Sequence, residues 1–132
     1  MDTDDYPDAA KRHLHDAQLL LAEARLANAS HLSGLSVECA LKAIARHHTP
    51  SACFRGGKGH LPKLFSELKN VSQNMAAHVA SEIAALERWF ADWDVVQRYV
   101  PQALFESTKT SQQCAAAHGA HLLMRNCLGG LV

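Results

Sequence analysis

A histidine, a glutamate and a lysine sit where helical geometry would line them up. His31, Glu38 and Lys42 are seven and four residues apart, spacings that place them in one narrow sector of a helix. On a solvated edge, Glu38 and Lys42 would form an i,i+4 pair worth a few tenths of a kcal/mol. Turned toward a cleft, the same groups would need a partner from elsewhere in the chain. Arg98 is the natural candidate. It lies in Trp93-Asp94-Val95-Val96-Gln97-Arg98-Tyr99. A guanidinium beside aromatic rings can stack and can also take a carboxylate or phosphate through two parallel hydrogen bonds. A Glu38–Arg98 pair could hold helices in register. It could equally belong to a nucleotide or RNA site, with Arg98 on phosphate and Trp93 or Tyr99 on a base.

Other chemistry-bearing residues point to less. Of the nine histidines, His13/His15, His47/His48 and His118/His121 are close pairs. Only His118/His121 has an i,i+3 spacing suited to sharing a metal, and no carboxylate or cysteine joins it. No pair of Glu-x-x-His motifs marks a di-iron bundle, so neither a metal nor any other cofactor is expected. There is no Gly-x-Ser-x-Gly and no cysteine with an evident base, so nucleophilic catalysis has no support. The RGGKG stretch from Arg55 to Gly59 departs from a phosphate-binding loop. Lys58 is followed by Gly59 rather than Ser or Thr, and no strand precedes it. It reads as a mobile surface loop.

The elements that would position these groups are helices. The stretch Asn28 to His48 is apolar nearly all round, as a central helix is, apart from the His31–Glu38–Lys42 stripe. Before it, a helix is predicted from Pro7 to about Arg25, with Asp5 or Asp8 at its positive end. Its apolar positions are Leu14, Ala17, Leu21 and Ala24, widened by Leu20. A turn around Leu26 to Asn28 is short enough to force an antiparallel return. Residues 49–60 form a loop. Leu61, Leu64, Phe65 and Leu68 give a short helix with Pro62 in its first turn. Ser72 caps a longer helix over Gln73 to Phe90, with Met75, Val79, Ile83, Leu86 and Phe90 as its buried stripe. Asp92 to Gln102 is irregular and pinned by Trp93. The last helix runs from about Ala103 to Cys127, polar in its first half and packed in its second. No stretch alternates long enough for a strand. The expectation is an all-α, up-and-down bundle of four to five helices.

Composition agrees. Of 132 residues, 48% are hydrophobic and 20% charged, a globular balance that fits one domain over residues 7–128. Formal net charge is zero, so any RNA contact must be local rather than a whole-surface field. Cys39, Cys53, Cys114 and Cys127 make no CxxC and suggest a reducing, cytoplasmic setting. The acidic start MDTDDYPD is unlike a signal peptide. No apolar run is long enough to span a membrane.

Three stretches together resemble the HEPN domain family. These are GLSVECALKAI (Gly34 to Ile44) preceded by AKRHLHDAQLLLAEA, then GHLPKL (Gly59 to Leu64), then Trp93 with Arg98 and Tyr99. The resemblance covers about Pro7 to Leu123. It implies an up-and-down helical bundle that is often dimeric. HEPN domains frequently accompany nucleotidyltransferases in toxin–antitoxin or defence-type pairs. Many members are metal-independent ribonucleases that pair, across a dimer, an Arg followed four to six residues later by His. Here no His follows Arg98 in that window, and Arg46 is followed at once by His47 and His48. Arg55 with His60 meets the bare spacing, but in the glycine-rich loop. The resemblance therefore implies a non-catalytic homodimeric module that binds RNA or a nucleotide and works with a separately encoded nucleotidyltransferase. Glu38, Lys42 and Arg98 would form its polar centre, with Trp93, Tyr99 and His31 around them. The alternatives are a ribonuclease using Arg55 and His60, or a plain helical dimerisation module.

Overall fold

The computed structural model describes residues 4–54 and 56–129. Helices are α1 (Tyr6–Ala22), α2 (Leu26–His48), α3 (Lys63–Lys69), α4 (Ala77–Phe90) and α5 (Ser107–Cys127). Short 3-10 turns occupy Gly56–Gly59, Ser72–Asn74, Val95–Tyr99 and Gln102–Leu104. No strand occurs among the described residues, and the architecture is an all-α bundle. None of the described helices is long and apolar enough to cross a membrane.

α1 begins as expected. The Asp5 side chain accepts the Asp8 backbone N–H at 3.0 Å, and Pro7 occupies the first turn, where its missing N–H costs nothing. The helix ends earlier than its apolar spacing suggests. The Arg25 N–H reaches back to the Leu20 carbonyl and the Ala24 N–H to that of Leu21, the pairing of a Schellman turn. Ala24 closes it at φ 58°, a conformation that costs a non-glycine residue about 1 kcal/mol. The turn therefore falls on Glu23–Arg25 rather than Leu26–Asn28. Alanine carries none of the stop signal that a glycine would.

α2 packs against both α1 and α5. Its buried face is rich in small residues, among them Ala29, Ser33, Gly34, Ser36, Ala40 and Ala43, which let neighbouring backbones approach. Ser36 Oγ donates to the Ala10 carbonyl at 2.8 Å, so the hydroxyl is satisfied across the hairpin rather than left bare in the core. One cluster joins Leu14, Val37, Leu41, Ile44, Leu64, Phe65, Ile83, Phe90, Trp93 and Met124.

Three further boundaries differ from expectation. Pro62 precedes the short helix rather than entering it, and the Leu61–Pro62 peptide is cis. α4 starts at Ala77, after a turn over Ser72–Asn74 that Asn74 ties to Thr49 Oγ1 at 2.9 Å. Met75 still packs in the core, just ahead of the helix. α5 starts at Ser107, because Pro101 is followed by a separate turn over Gln102–Leu104 and by extended backbone at Phe105 and Glu106. Its first half is not merely a polar surface: Thr110, Gln113 and Cys114 are buried there.

Candidate functional site

The polar stripe of α2 meets two different partners along its length. At its N-terminal end lies Trp93, which is 1% exposed. Its indole rests on Gly34: a Cβ built there would sit 2.1 Å from the ring, closer than any side chain can approach. A glycine inside a helix costs about 1 kcal/mol relative to alanine, and the seat it leaves for a tryptophan is the reason for it here. Trp93 Nε1 donates to the Ser30 carbonyl at 3.0 Å. Ser30 Oγ donates to Gln113 Oε1 at 2.6 Å and accepts from Gln97 Nε2 at 2.9 Å. Gln113 Nε2 in turn donates to the Trp89 carbonyl. These bonds tie α2, α5 and the Val95–Tyr99 turn together. The turn itself is capped by Asp94, whose side chain accepts the Val96 N–H while Gln97 Oε1 accepts the Asp94 N–H.

His31 stacks on the Trp93 ring, with centroids 5.7 Å apart and planes 11° from parallel. Burial, then the nearby Arg98 and His13, push its pKa below the usual histidine value. Arg98 and Tyr99 lie on the exposed surface of the turn. The Arg98 guanidinium donates to the Val95 carbonyl and lies 4.9 Å from the Tyr99 ring centre. Tyr99 is 76% exposed. A rigid, dry anchor thus presents a free aromatic face with a cation over it.

The second partner meets Glu38 and Lys42. Glu38 is 2% exposed. Its carboxylate accepts the Leu61 N–H at 2.9 Å and faces His60 Nδ1 at 3.2 Å from each oxygen. Burial raises the Glu38 pKa; the Leu61 N–H, His60 and Lys42 oppose that rise. Gly59 is what lets the loop come so close. A Cβ there would meet the Phe54 carbonyl at 2.8 Å and Lys42 Nζ at 3.3 Å. Lys42 and Arg46 flank the Tyr6 ring, 5.6 and 4.7 Å from its centre.

The six residues expected to form one polar centre therefore divide. His31, Trp93, Arg98 and Tyr99 gather at one place, Glu38 and Lys42 at another. Glu38 is occupied by His60 and Leu61, and Arg98 is exposed at the surface. The reason is the rise of the helix: seven residues along α2 are about 10 Å, so a turn seated beside His31 is a long reach from Glu38. Arg55 lies outside the described residues, and its proposed companion His60 turns Nδ1 to Glu38. Spacing in the sequence gives no sign of the Ser30–Gln97–Gln113 network. Gly34 did carry a signal, being a helix-interior glycine in need of a reason.

Among the described residues, no group of three or more His, Cys, Asp or Glu side chains is placed to hold a metal ion. Comparisons with protein-family models, with curated proteins and with solved structures each gave no match.

Proposed function

We propose that the chain is a HEPN-like, non-catalytic module that binds single-stranded RNA or a nucleotide through Arg98 and Tyr99. In this reading it works as a homodimer beside a separately encoded nucleotidyltransferase, in a toxin–antitoxin or defence-type system. The observation that carries the binding is the exposed Tyr99 ring with the Arg98 guanidinium against it, on a turn fixed from behind by Trp93. A base stacks on such a ring while the guanidinium takes the adjoining phosphate. The family reading rests on the three motif stretches. In support, they meet one another: Gly34 seats Trp93, and Glu38 holds His60 and Leu61.

The test is binding of a fluorescent single-stranded oligoribonucleotide. Stacking on an aromatic side chain is worth about 1–3 kcal/mol. Arg98→Ala and Tyr99→Ala should each weaken binding by about 5- to 150-fold, with no loss of helical content. Wild-type affinity in both folded variants would sink the reading.

A second reading, a metal-independent ribonuclease, has one observation in its favour: His31 lies within electrostatic reach of Arg98. Cleavage assays of His31→Ala, Arg98→Ala and His60→Ala separate the cases. Cleavage abolished by His31→Ala would place acid–base chemistry at the Trp93 end. Cleavage abolished only by His60→Ala would return it to the glycine-rich loop.

A further inference from the structure

α1 and α5 pack together, and cations line the seam between them. Lys11 and His15 stand four apart on α1; His118, His121 and Arg125 stand three and four apart on α5. Each set shares one face of its helix. Lys11, His15, His118 and Arg125 are exposed, and His121 is the floor at 7% exposure. Its Nε2 is buried and has no hydrogen-bond partner, a condition that native structures seldom tolerate without a reason. The charged groups bearing on His121 are Arg125, His15, His118 and Lys11, all cationic or cationic once protonated. α2 and α4, also packed on α5, add none to that set. Burial and these neighbours keep the His121 pKa below 6.5. A seam so arranged lacks an anion.

We propose that the α1–α5 seam is a phosphate-binding site, in which Lys11, His15, His118 and Arg125 take the phosphate oxygens and His121 becomes a further N–H donor as it gains a proton. Arginine and lysine are the side chains best suited to that contact. An anion relieves the repulsion among the cations and favours the protonated imidazole. His121 is then more basic in the complex than in the free protein. Binding takes up a proton, and affinity rises as pH falls, by at most about tenfold per pH unit for one proton. The phosphate could belong to an RNA backbone or to a free phosphate compound. The site is independent of the Arg98–Tyr99 patch.

Calorimetric titration of the full chain with inorganic pyrophosphate and, separately, with a single-stranded oligoribonucleotide tests this at about pH 6 and about pH 7.5. Tighter binding at the lower pH is expected, with about thirtyfold as the ceiling for one proton across that interval. The double variant Lys11→Gln/Arg125→Gln should lose pyrophosphate binding and the gain in oligonucleotide affinity at the lower pH, whereas Lys63→Gln, exposed on α3 and outside the seam, should keep both. Binding of pyrophosphate marks a free phosphate ligand; oligonucleotide binding without pyrophosphate binding, with a low-pH gain that the double variant removes, marks a phosphodiester backbone. The His121 ring resonances provide a readout in the unaltered protein: their titration should move to higher pH when the bound probe is present. The proposal is overturned if neither probe binds at the lower pH, if affinity is independent of pH, or if the folded double variant binds as the wild type does.

Discussion

The two ends of the α2 stripe hold loops by opposite means. At Glu38 a buried carboxyl group holds His60 and the Leu61 N–H, so its grip changes with protonation. At Ser30 and Gly34 the grip is an indole in a glycine seat and a chain of neutral hydrogen bonds. The first is sensitive to pH and to the loss of one oxygen atom. The second is sensitive to volume. Only the second presents an exposed aromatic and a cation on its outer side, which is why the functional reading follows Trp93 rather than Glu38.

The largest effect should come from filling the glycine seat. Gly34→Ala puts a methyl group into the Trp93 ring, and losing the packing of a buried tryptophan costs about 3–5 kcal/mol. Urea unfolding measures it. If the seat is the whole story, Gly34→Ala and Trp93→Ala will be strongly non-additive. Simple addition would show that Gly34 serves something else.

Glu38→Ala comes next, at about 1–3 kcal/mol, because it leaves the buried Leu61 N–H without an acceptor. Glu38→Gln keeps an acceptor and removes the charge. The Glu38 pKa is raised above its ordinary 4.5, so the folded state holds the proton more tightly than the unfolded state. The associated stability is full below that value and is lost as pH rises through the folded pKa. Wild type should therefore lose stability relative to Glu38→Gln as pH climbs from about 4.5. Ser30→Ala, by contrast, should lower stability by an amount that does not change over the same range. A flat difference for Glu38→Gln would erase the contrast between the two ends.

Ala24→Gly belongs to neither end and should stabilise by about 1 kcal/mol, by removing the strain of a left-handed alanine. It should add independently to both sets of variants. Arg98→Ala should be smallest, within about 0.5 kcal/mol in thermal unfolding, while changing RNA affinity as described. A large stability loss there would make Arg98 structural.

Much of this was legible in the residues. The apolar circumference of α2, the stripe of α4 and the lack of alternation are local patterns, and they specify helices and their buried faces. The aromatic anchor at Trp93 was also readable, since a large ring beside a proline-stopped segment has few places to go. The partner of Glu38 was not. His60 reaches it only through the path of the 49–60 loop and the bare backbone of Gly59, and neither leaves a periodic trace. The end of α1 was missed because Ala24 does the work usually left to glycine. The burial of Gln113 left no trace in the sequence, because a glutamine hydrogen-bonded in the interior is spelled no differently from one in water.

The first turn of α2 has one more tie. Gln102 Oε1 accepts the Ala27 N–H at 3.3 Å, so a residue far along the chain closes the helix near its beginning. Together with the bonds from Ser30, this makes the start of α2 and the 93–105 segment one opening unit. Their amides should exchange with deuterium at a common rate, slower than the loop at 49–60. An RNA that clamps Arg98 and Tyr99 should slow exchange at Ala27, which it never touches.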